Sequence, residues 1–151
     1  MMAIVAIVLV ILIVIWLVIP KKTEVKAASD GKLQITQVFK ITVADKTEAN
    51  HFRDQGDSQA FYVDGLEAPT LVLKRGVYYE FKNESDEPLY FTSDPEGGFN
   101  DGGEEAPGSV NPGFLGLAKG SIYLFTSDDL PVRFYYQSGK HRLMGSLVVL
   151  K

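Results

Sequence analysis

Residues 61 to 81 read FYVDGLEAPTLVLKRGVYYEF and contain three short segments rich in aromatic and β-branched residues. Such segments favour strands, because these side chains pack well on a pleated, half-buried surface. Turn-forming residues separate the segments: Asp64-Gly65 and Arg75-Gly76 each follow one, and Pro69 precedes another. The stretch therefore predicts three successive strands joined by tight turns.

The same pattern continues on both sides of that stretch. Residues 33–43 alternate between apolar and polar with a change of phase near Gln37, which predicts a strand carrying a β-bulge. Residues 45–59 are polar and aperiodic, and residues 94–113 are rich in glycine and proline, so both predict surface loops. Further strands are predicted at 89–92, 121–125, 132–137 and 146–150. About eight short strands without helical periodicity predict an all-β domain, either a β-sandwich or a Greek-key barrel.

The first nineteen residues, Met1 to Ile19, are all apolar. As a helix they would rise about 29 Å, close to the hydrocarbon thickness of a bilayer. Trp16 stands near one end, where an indole suits the membrane interface, and Pro20 ends the run. A buried strand is shorter than this, and a cleaved signal peptide has a charged start and a shorter apolar region. We therefore expect residues 1–20 to form one uncleaved transmembrane helix that contacts the lipid bilayer through residues 1–19.

Charge and composition set the remaining domain limits and exclude several functions. Residues 21–32 form a polar linker with lysines at 21, 22 and 26, which favour the cytoplasmic face for the domain at 33–151. The net charge of −4 gives no electrostatic reason to expect nucleic-acid binding. The absence of cysteine excludes disulfides, thiolate metal ligands and thiol catalysis. No nucleophile–base set and no phosphate-binding loop is visible, so we expect no enzymatic activity and no catalytic residues.

One loop near the C-terminus carries residue types that can bind metal. His141 and Met144 lie three residues apart between the predicted strands at 132–137 and 146–150. Imidazole and thioether groups are both ligands for copper, and a tight loop can direct them to one point. The residues alone favour the simpler interpretation of a partly exposed loop histidine and a methionine that fills the core.

Two blocks of the sequence resemble cupredoxin-like domains. Residues 61–81 are similar to the pattern Y-x-x-D-G-x-x-A-P-T-L-x-L-x-R-G-x-x-Y-x-F that these domains often show. Residues 134–147 are similar to their terminal Y-Y-Q-C-x-x-H-x-x-M-G-G segment. The resemblance covers residues 33–151 and implies a cupredoxin-like Greek-key β-sandwich of about eight strands behind the predicted transmembrane helix.

The resemblance also implies where a type-1 copper site would lie. Its four ligands are a histidine in an H-P-F/L-Y segment, followed by the cysteine, histidine and methionine of C-x-x-H-x-x-M. Here Glu87 stands at the first histidine position and Ser138 at the cysteine position, whereas His141 and Met144 match. A serine hydroxyl cannot replace the thiolate, which gives such a site its copper affinity and its electron-transfer properties. We therefore predict no type-1 copper and no bound cofactor, with Glu87 hydrogen-bonded to Ser138 or paired with a base.

Three kinds of function remain open from the sequence. The first is a membrane-anchored, non-enzymatic module for binding or structural assembly with a protein partner that the sequence does not identify. The second is a copper-binding or electron-transfer protein with a remodelled site at Glu87, His141 and Met144. The third is an enzyme with a site that the sequence does not reveal, although no catalytic constellation supports it. A membrane-associated structural component of a virion is a variant of the first, by analogy with the β-sandwiches of viral structural layers. Fold alone does not choose between them.

Overall fold

The structure, a computed structural model, describes residues 33–98 and 116–151 of the chain. The regular secondary structure in these ranges consists of β1 Ile35–Asp45, β2 Gln59–Val63, β3 Leu66–Glu67, β4 Leu71–Leu73, β5 Tyr78–Asn83, β6 Leu89–Thr92, β7 Gly120–Phe125, β8 Arg133–Ser138 and β9 Ser146–Leu150. The predicted transmembrane helix, the linker and most of the loop at 94–113 lie outside the described residues. Within the described ranges no helix is long and apolar enough to cross a membrane.

The strands form two mixed sheets. One has the order β3-β2-β1-β5-β7 and the other has the order β4-β9-β8-β6. Each sheet contains one parallel pair, β1 with β5 and β4 with β9, whereas the other neighbours are antiparallel. From β3 to β8, successive strands lie alternately in the two sheets. Parallel neighbours cannot be joined by a hairpin, and neither parallel pair is consecutive in the chain.

The hydrophobic core lies between the two sheets. Phe39, Ile41, Phe61 and Phe81 from the five-stranded sheet are buried there. The four-stranded sheet contributes Leu89, Phe91, Phe134, Tyr136 and Val148 to the same core. The rings of Phe81 and Phe91 meet across the two sheets at a centroid distance of 4.8 Å in an edge-on arrangement. This arrangement confirms the prediction of an all-β, two-layered domain for the described part of the chain.

The local predictions for the first strands are largely confirmed. The register between β1 and β5 shifts between Ile35 and Gln37, which is the bulge that the change of alternation predicted. The Asp64-Gly65 turn has positive φ at both residues, 50° and 83°, as a tight hairpin turn requires. The returning strand β3 was not predicted, because two residues are too few to show an alternation. Residues 33–98 and 116–151 therefore contain nine strands where the sequence indicated about eight.

Candidate functional site

The β5–β6 turn presents Glu87, and a buried asparagine holds this turn in shape. Asn83 ends β5 with 2% of its surface exposed, and its Nδ2 donates to the carbonyls of Glu87 and Leu117, both at 2.7 Å. Its Oδ1 accepts from the backbone N–H of Ser85 at 3.0 Å and from the Ser85 hydroxyl at 2.7 Å. These four hydrogen bonds use the full capacity of the amide, so the residues before Pro88 are held in one conformation.

Ser138 occupies the centre of the site at the end of β8 and is fully buried. Its hydroxyl accepts hydrogen bonds from the backbone N–H groups of Lys140 and His141, at 3.0 and 3.1 Å. The same hydroxyl donates to Oε2 of Glu87 at 2.9 Å. Both directions of hydrogen bonding are therefore used, and Ser138 fixes the first turn of the β8–β9 loop.

His141 completes a cluster of three side chains, which we call the Glu87 cluster: Glu87, Ser138 and His141. The Nδ1 atom of His141 lies 2.9 Å from Oε2 of Glu87 and 4.0 Å from Oδ2 of Asp57. An ionised carboxylate only accepts hydrogen bonds, so we assign a ring hydrogen to Nδ1 of His141. Exposed fractions of 16% for the Glu87 side chain and 46% for that of His141 put the cluster at the rim of the domain.

Met144 occupies a different environment from the Glu87 cluster. It is fully buried and belongs to the hydrophobic core between the sheets. Its backbone carbonyl accepts a hydrogen bond from the Phe61 N–H at 2.7 Å, which ties the end of the β8–β9 loop to β2. The structure thus brings Glu87, Ser138 and His141 together through hydrogen bonds, and it places Met144 among the apolar side chains of the core.

Hydrogen bonds and an ion pair attach the segment after β6 to the β8–β9 loop. Gly98 N–H donates to the Ser138 carbonyl at 2.8 Å, and Leu143 N–H donates to the Glu96 carbonyl at 2.7 Å. Glu96 also forms an ion pair with Arg142. Gly97 has φ +68°, and a Cβ on it would lie 2.6 Å from Cβ of Gln137. Glycine is required at position 97 for both reasons, so part of the glycine-rich loop has a structural role.

Gln137, next to Ser138, is another buried side chain that holds the β8–β9 loop in place, and the sequence did not reveal this role. It is 1% exposed, its Nε2 donates to the Pro95 carbonyl at 2.7 Å, and its Oε1 accepts from the Gly145 N–H at 2.8 Å. One amide side chain therefore joins both ends of the β8–β9 loop region to the segment after β6. Only its position beside Ser138 in the quoted segment could have drawn attention to it.

Asp57 is the other residue that sequence reasoning missed. It lies in the loop between β1 and β2, and its backbone N–H donates to the Arg142 carbonyl at 3.0 Å. Its carboxylate has an exposed fraction of 25% and faces Nδ1 of His141. An aspartate in a polar, aperiodic loop carries no sequence signal that would pair it with a distant histidine.

Glu67 fixes the loop that carries Asp57. Its carboxylate accepts from the N–H and hydroxyl of Thr47, at 3.0 and 2.5 Å, and from Nδ2 of Asn50 at 2.7 Å. Burial alone would raise the pKa of Glu67, but the hydrogen bonds from Thr47 and Asn50 outweigh it, and the pKa lies below its usual value.

Because the pKa of Glu67 is lowered in the folded state, this carboxylate makes the stability of the protein fall on acidification. Its contribution to stability is fully present above the pKa of the unfolded chain and is lost as the pH falls through the lower folded-state pKa. We expect Glu67→Gln to destabilise the protein at neutral pH and to flatten the fall in stability on acidification. Urea unfolding between pH 7 and pH 3 measures this, with the exposed carboxylate variant Asp128→Asn as the control. Equal pH dependence in Glu67→Gln and the unmodified chain would contradict the assignment.

The donor set of the Glu87 cluster does not fit a type-1 copper ion. The cluster offers a carboxylate, a hydroxyl and an imidazole, and it lacks the thiolate that such an ion requires. No group of three or more His, Cys, Asp or Glu side chains in residues 33–98 and 116–151 is arranged to hold a metal ion. Ser138 Oγ, Glu87 Oε2 and His141 Nδ1 are hydrogen-bonded to one another, and these bonds hold the β8–β9 loop in place.

Comparison with known proteins gives limited likenesses. No protein-family model matches the chain, and no curated protein matches it. Among solved structures, a crystal structure described for rusticyanin variants is 16% identical over 83% of this chain and 85% of that chain, with a TM-score of 0.39. A second rusticyanin variant is 16% identical over 80% of this chain and 85% of that chain, with a TM-score of 0.36.

Proposed function

We propose that the chain is a membrane-anchored, non-enzymatic cupredoxin-like module for binding or structural assembly, without a type-1 copper site. The observation that carries this proposal is that Oε2 of Glu87 lies 2.9 Å from both the Ser138 hydroxyl and His141 Nδ1. The polar groups at the expected ligand positions are paired with one another. In this form the site stabilises a loop and leaves binding to the outer surfaces of the domain.

The cupredoxin-like part of the proposal rests on where three side chains lie in the structure as well as on the sequence resemblance. The resemblance implied that residues 87, 138 and 141 would converge, although they lie on the β5–β6 turn, at the end of β8 and in the β8–β9 loop. Side-chain contacts at 2.9 Å between residues so far apart in sequence support the correspondence of these three positions to the ligand positions of the resemblance.

A second candidate function is weak copper or other divalent-cation binding at a remodelled site. The observation that favours it is the contact between a carboxylate and an imidazole, with Glu87 Oε2 at 2.9 Å from His141 Nδ1, which offers two donors for an ion. Carboxylates and an imidazole bind divalent ions once the ring hydrogen has been displaced. Binding there would break the hydrogen bond between Glu87 and His141 and would compete with protons.

Membrane anchoring is tested by fractionation of cells that express the full chain. We expect the full chain to stay in the membrane pellet after carbonate extraction and to keep Met1 or Met2 at its N-terminus. A variant lacking residues 1–19 is the matched control and should move to the supernatant. Extraction of the full chain by carbonate, or a mature N-terminus at Ala28, would contradict the anchor. Cross-linking in the same membranes, followed by mass spectrometry, identifies the partner.

A further inference from the structure

The four edge strands of the two sheets differ in length and in chemistry. β3, β4 and β6 are edges of two, three and four residues, whereas the edge strand β7 has six residues. Short edges resist pairing with other chains, as do edges that carry lysine, proline or a bulge. The segment of β7, GSIYLF, contains no charged residue and no proline, and its pairing with β5 is regular. Only the outer edge of β7, among the described strands, lacks these protections.

The backbone of β7 has hydrogen-bonding groups that point away from the sheet. Thr126 N–H donates to the Val77 carbonyl, so the backbone groups of Thr126 face β5. In an extended strand this direction alternates, and the groups of Phe125 and Tyr123 therefore face outward. In agreement, the Phe125 carbonyl accepts from Ser127 N–H rather than from β5. No described strand pairs with this side of β7.

The outer face of β7 is apolar beside this open edge. Tyr123 and Phe125 are 50% and 43% exposed, and the Phe125 ring packs against Tyr78 at a centroid distance of 4.7 Å. Ile122 and Leu124 point the other way, into the core. Side chains of an added strand would pack beside the exposed rings on the outer face and beside Ile122 and Leu124 on the core-facing side.

We propose that β7 pairs with β7 of a second copy of this chain, in antiparallel orientation, to make a continuous ten-stranded sheet. The inference rests on the proposed assembly function and names its partner. In antiparallel pairs, residues that face each other point to the same side of the sheet. A two-fold axis through Tyr123 satisfies this condition, because it places Tyr123 opposite Tyr123 of the second copy and Ser121 opposite Phe125.

The self-paired arrangement is compatible in side-chain size and brings no charges together. The small Ser121 side chain faces the large Phe125 ring on each side of the axis, and the two Tyr123 rings face each other on the axis as an aromatic cross-strand pair. No charged side chain lies within β7, so pairing two copies brings no like charges directly opposite each other in the new ladder. An isologous contact of this kind closes after two copies and does not propagate into fibres.

The absence of native cysteine makes this contact directly measurable in the full chain. A single cysteine introduced by Tyr123→Cys lies on the two-fold axis, where the Cα separation of facing residues suits a disulfide. Val38→Cys is the matched control, because Val38 is also 50% exposed on the outer face, on β1, two strands away from the edge. After mild oxidation in detergent we expect about tenfold more disulfide-linked dimer for Tyr123→Cys than for Val38→Cys.

Two further variants keep the inference testable if a cysteine disturbs folding. A mixture of Ser121→Cys and Phe125→Cys chains should give mainly the mixed dimer, since these positions face each other across the axis. Tyr123→Lys should halve the molar mass measured by light scattering, whereas Val38→Lys should leave it unchanged. Equal cross-linking of Tyr123→Cys and Val38→Cys, or a monomeric unmodified chain, would overturn the β7 pairing. A monomer that still cross-links to another protein in its membrane would leave the assembly function standing without this contact.

Discussion

Replacing Gly145 by alanine is expected to lower the free energy of unfolding by about 3 kcal/mol or more, since overpacking against rigid backbone is among the costliest core changes. A Cβ at position 145 would overlap the carbonyl oxygen of Tyr136 on the paired strand β8 and would lie 3.0 Å from the Tyr136 ring. The backbone there cannot retreat easily, because the Gly145 N–H is bound to the buried Gln137 amide. Thermal unfolding of the full chain in detergent, followed by near-ultraviolet circular dichroism, measures the effect.

Gly65→Ala is the control for this variant. Gly65 has φ +83° and open space around it, so alanine there costs only about 1 kcal/mol of backbone strain. The comparison separates a steric clash in the core from strain in a turn. If Gly145→Ala unfolds no more easily than Gly65→Ala, the close approach of the β8–β9 loop to Tyr136 is wrong, and with it the position of the loop that carries His141.

The double variant Glu87→His with Ser138→Cys is expected to gain an intense visible absorption band on addition of Cu(II). The band of a type-1 site arises from charge transfer between copper and a cysteine thiolate, as the resemblance implies, and the unmodified chain has no thiolate. Glu87 already touches both Ser138 and His141 at 2.9 Å, so side chains at these three positions reach one point. The N–H groups of Lys140 and His141, which now bind the Ser138 hydroxyl, would be well placed to stabilise a thiolate.

The two single variants are the controls for the copper experiment. Glu87→His alone lacks the thiolate and should remain colourless, whereas Ser138→Cys alone keeps a carboxylate in place of the first imidazole and should give at most a weak band. A double variant that binds copper without the intense band would show that position 87 or 138 does not face the ion. In that case the correspondence with the cupredoxin ligand positions fails.

Most of the strands were predictable because the sequence patterns that indicate a strand are local. Alternation and turn residues placed the strands, and the change of phase at Gln37 located the bulge in β1. The two-residue strand β3 was missed because its pairing depends on the Asp64-Gly65 turn and leaves no alternation of its own. Residues 1–20 and their membrane role lie outside the described residues and stay a prediction.

The candidate site was predictable only in part, because its contacts join distant segments. The resemblance supplied positions 87, 138 and 141, and in the structure Glu87 is both hydrogen-bonded to Ser138 and paired with His141. Asp57 and Gln137 were missed, since their roles depend on how the β1–β2 loop and the segment after β6 pack on the β8–β9 loop. The prediction of Met144 as a core residue follows from the same loop geometry, which buries it between the sheets.

The central claim is that the side chains of the Glu87 cluster are hydrogen-bonded to one another and hold the β8–β9 loop instead of binding a metal ion. Titration of the unmodified full chain with Cu(II), followed by visible absorption and by calorimetry, tests this claim. The account predicts no intense visible band. It also predicts only weak binding, which His141→Ala reduces further, because a metal at His141 Nδ1 must displace the contact with Glu87. Tight binding of one copper ion per chain, reduced by Glu87→Gln or by His141→Ala, would contradict the account and make metal handling the leading function.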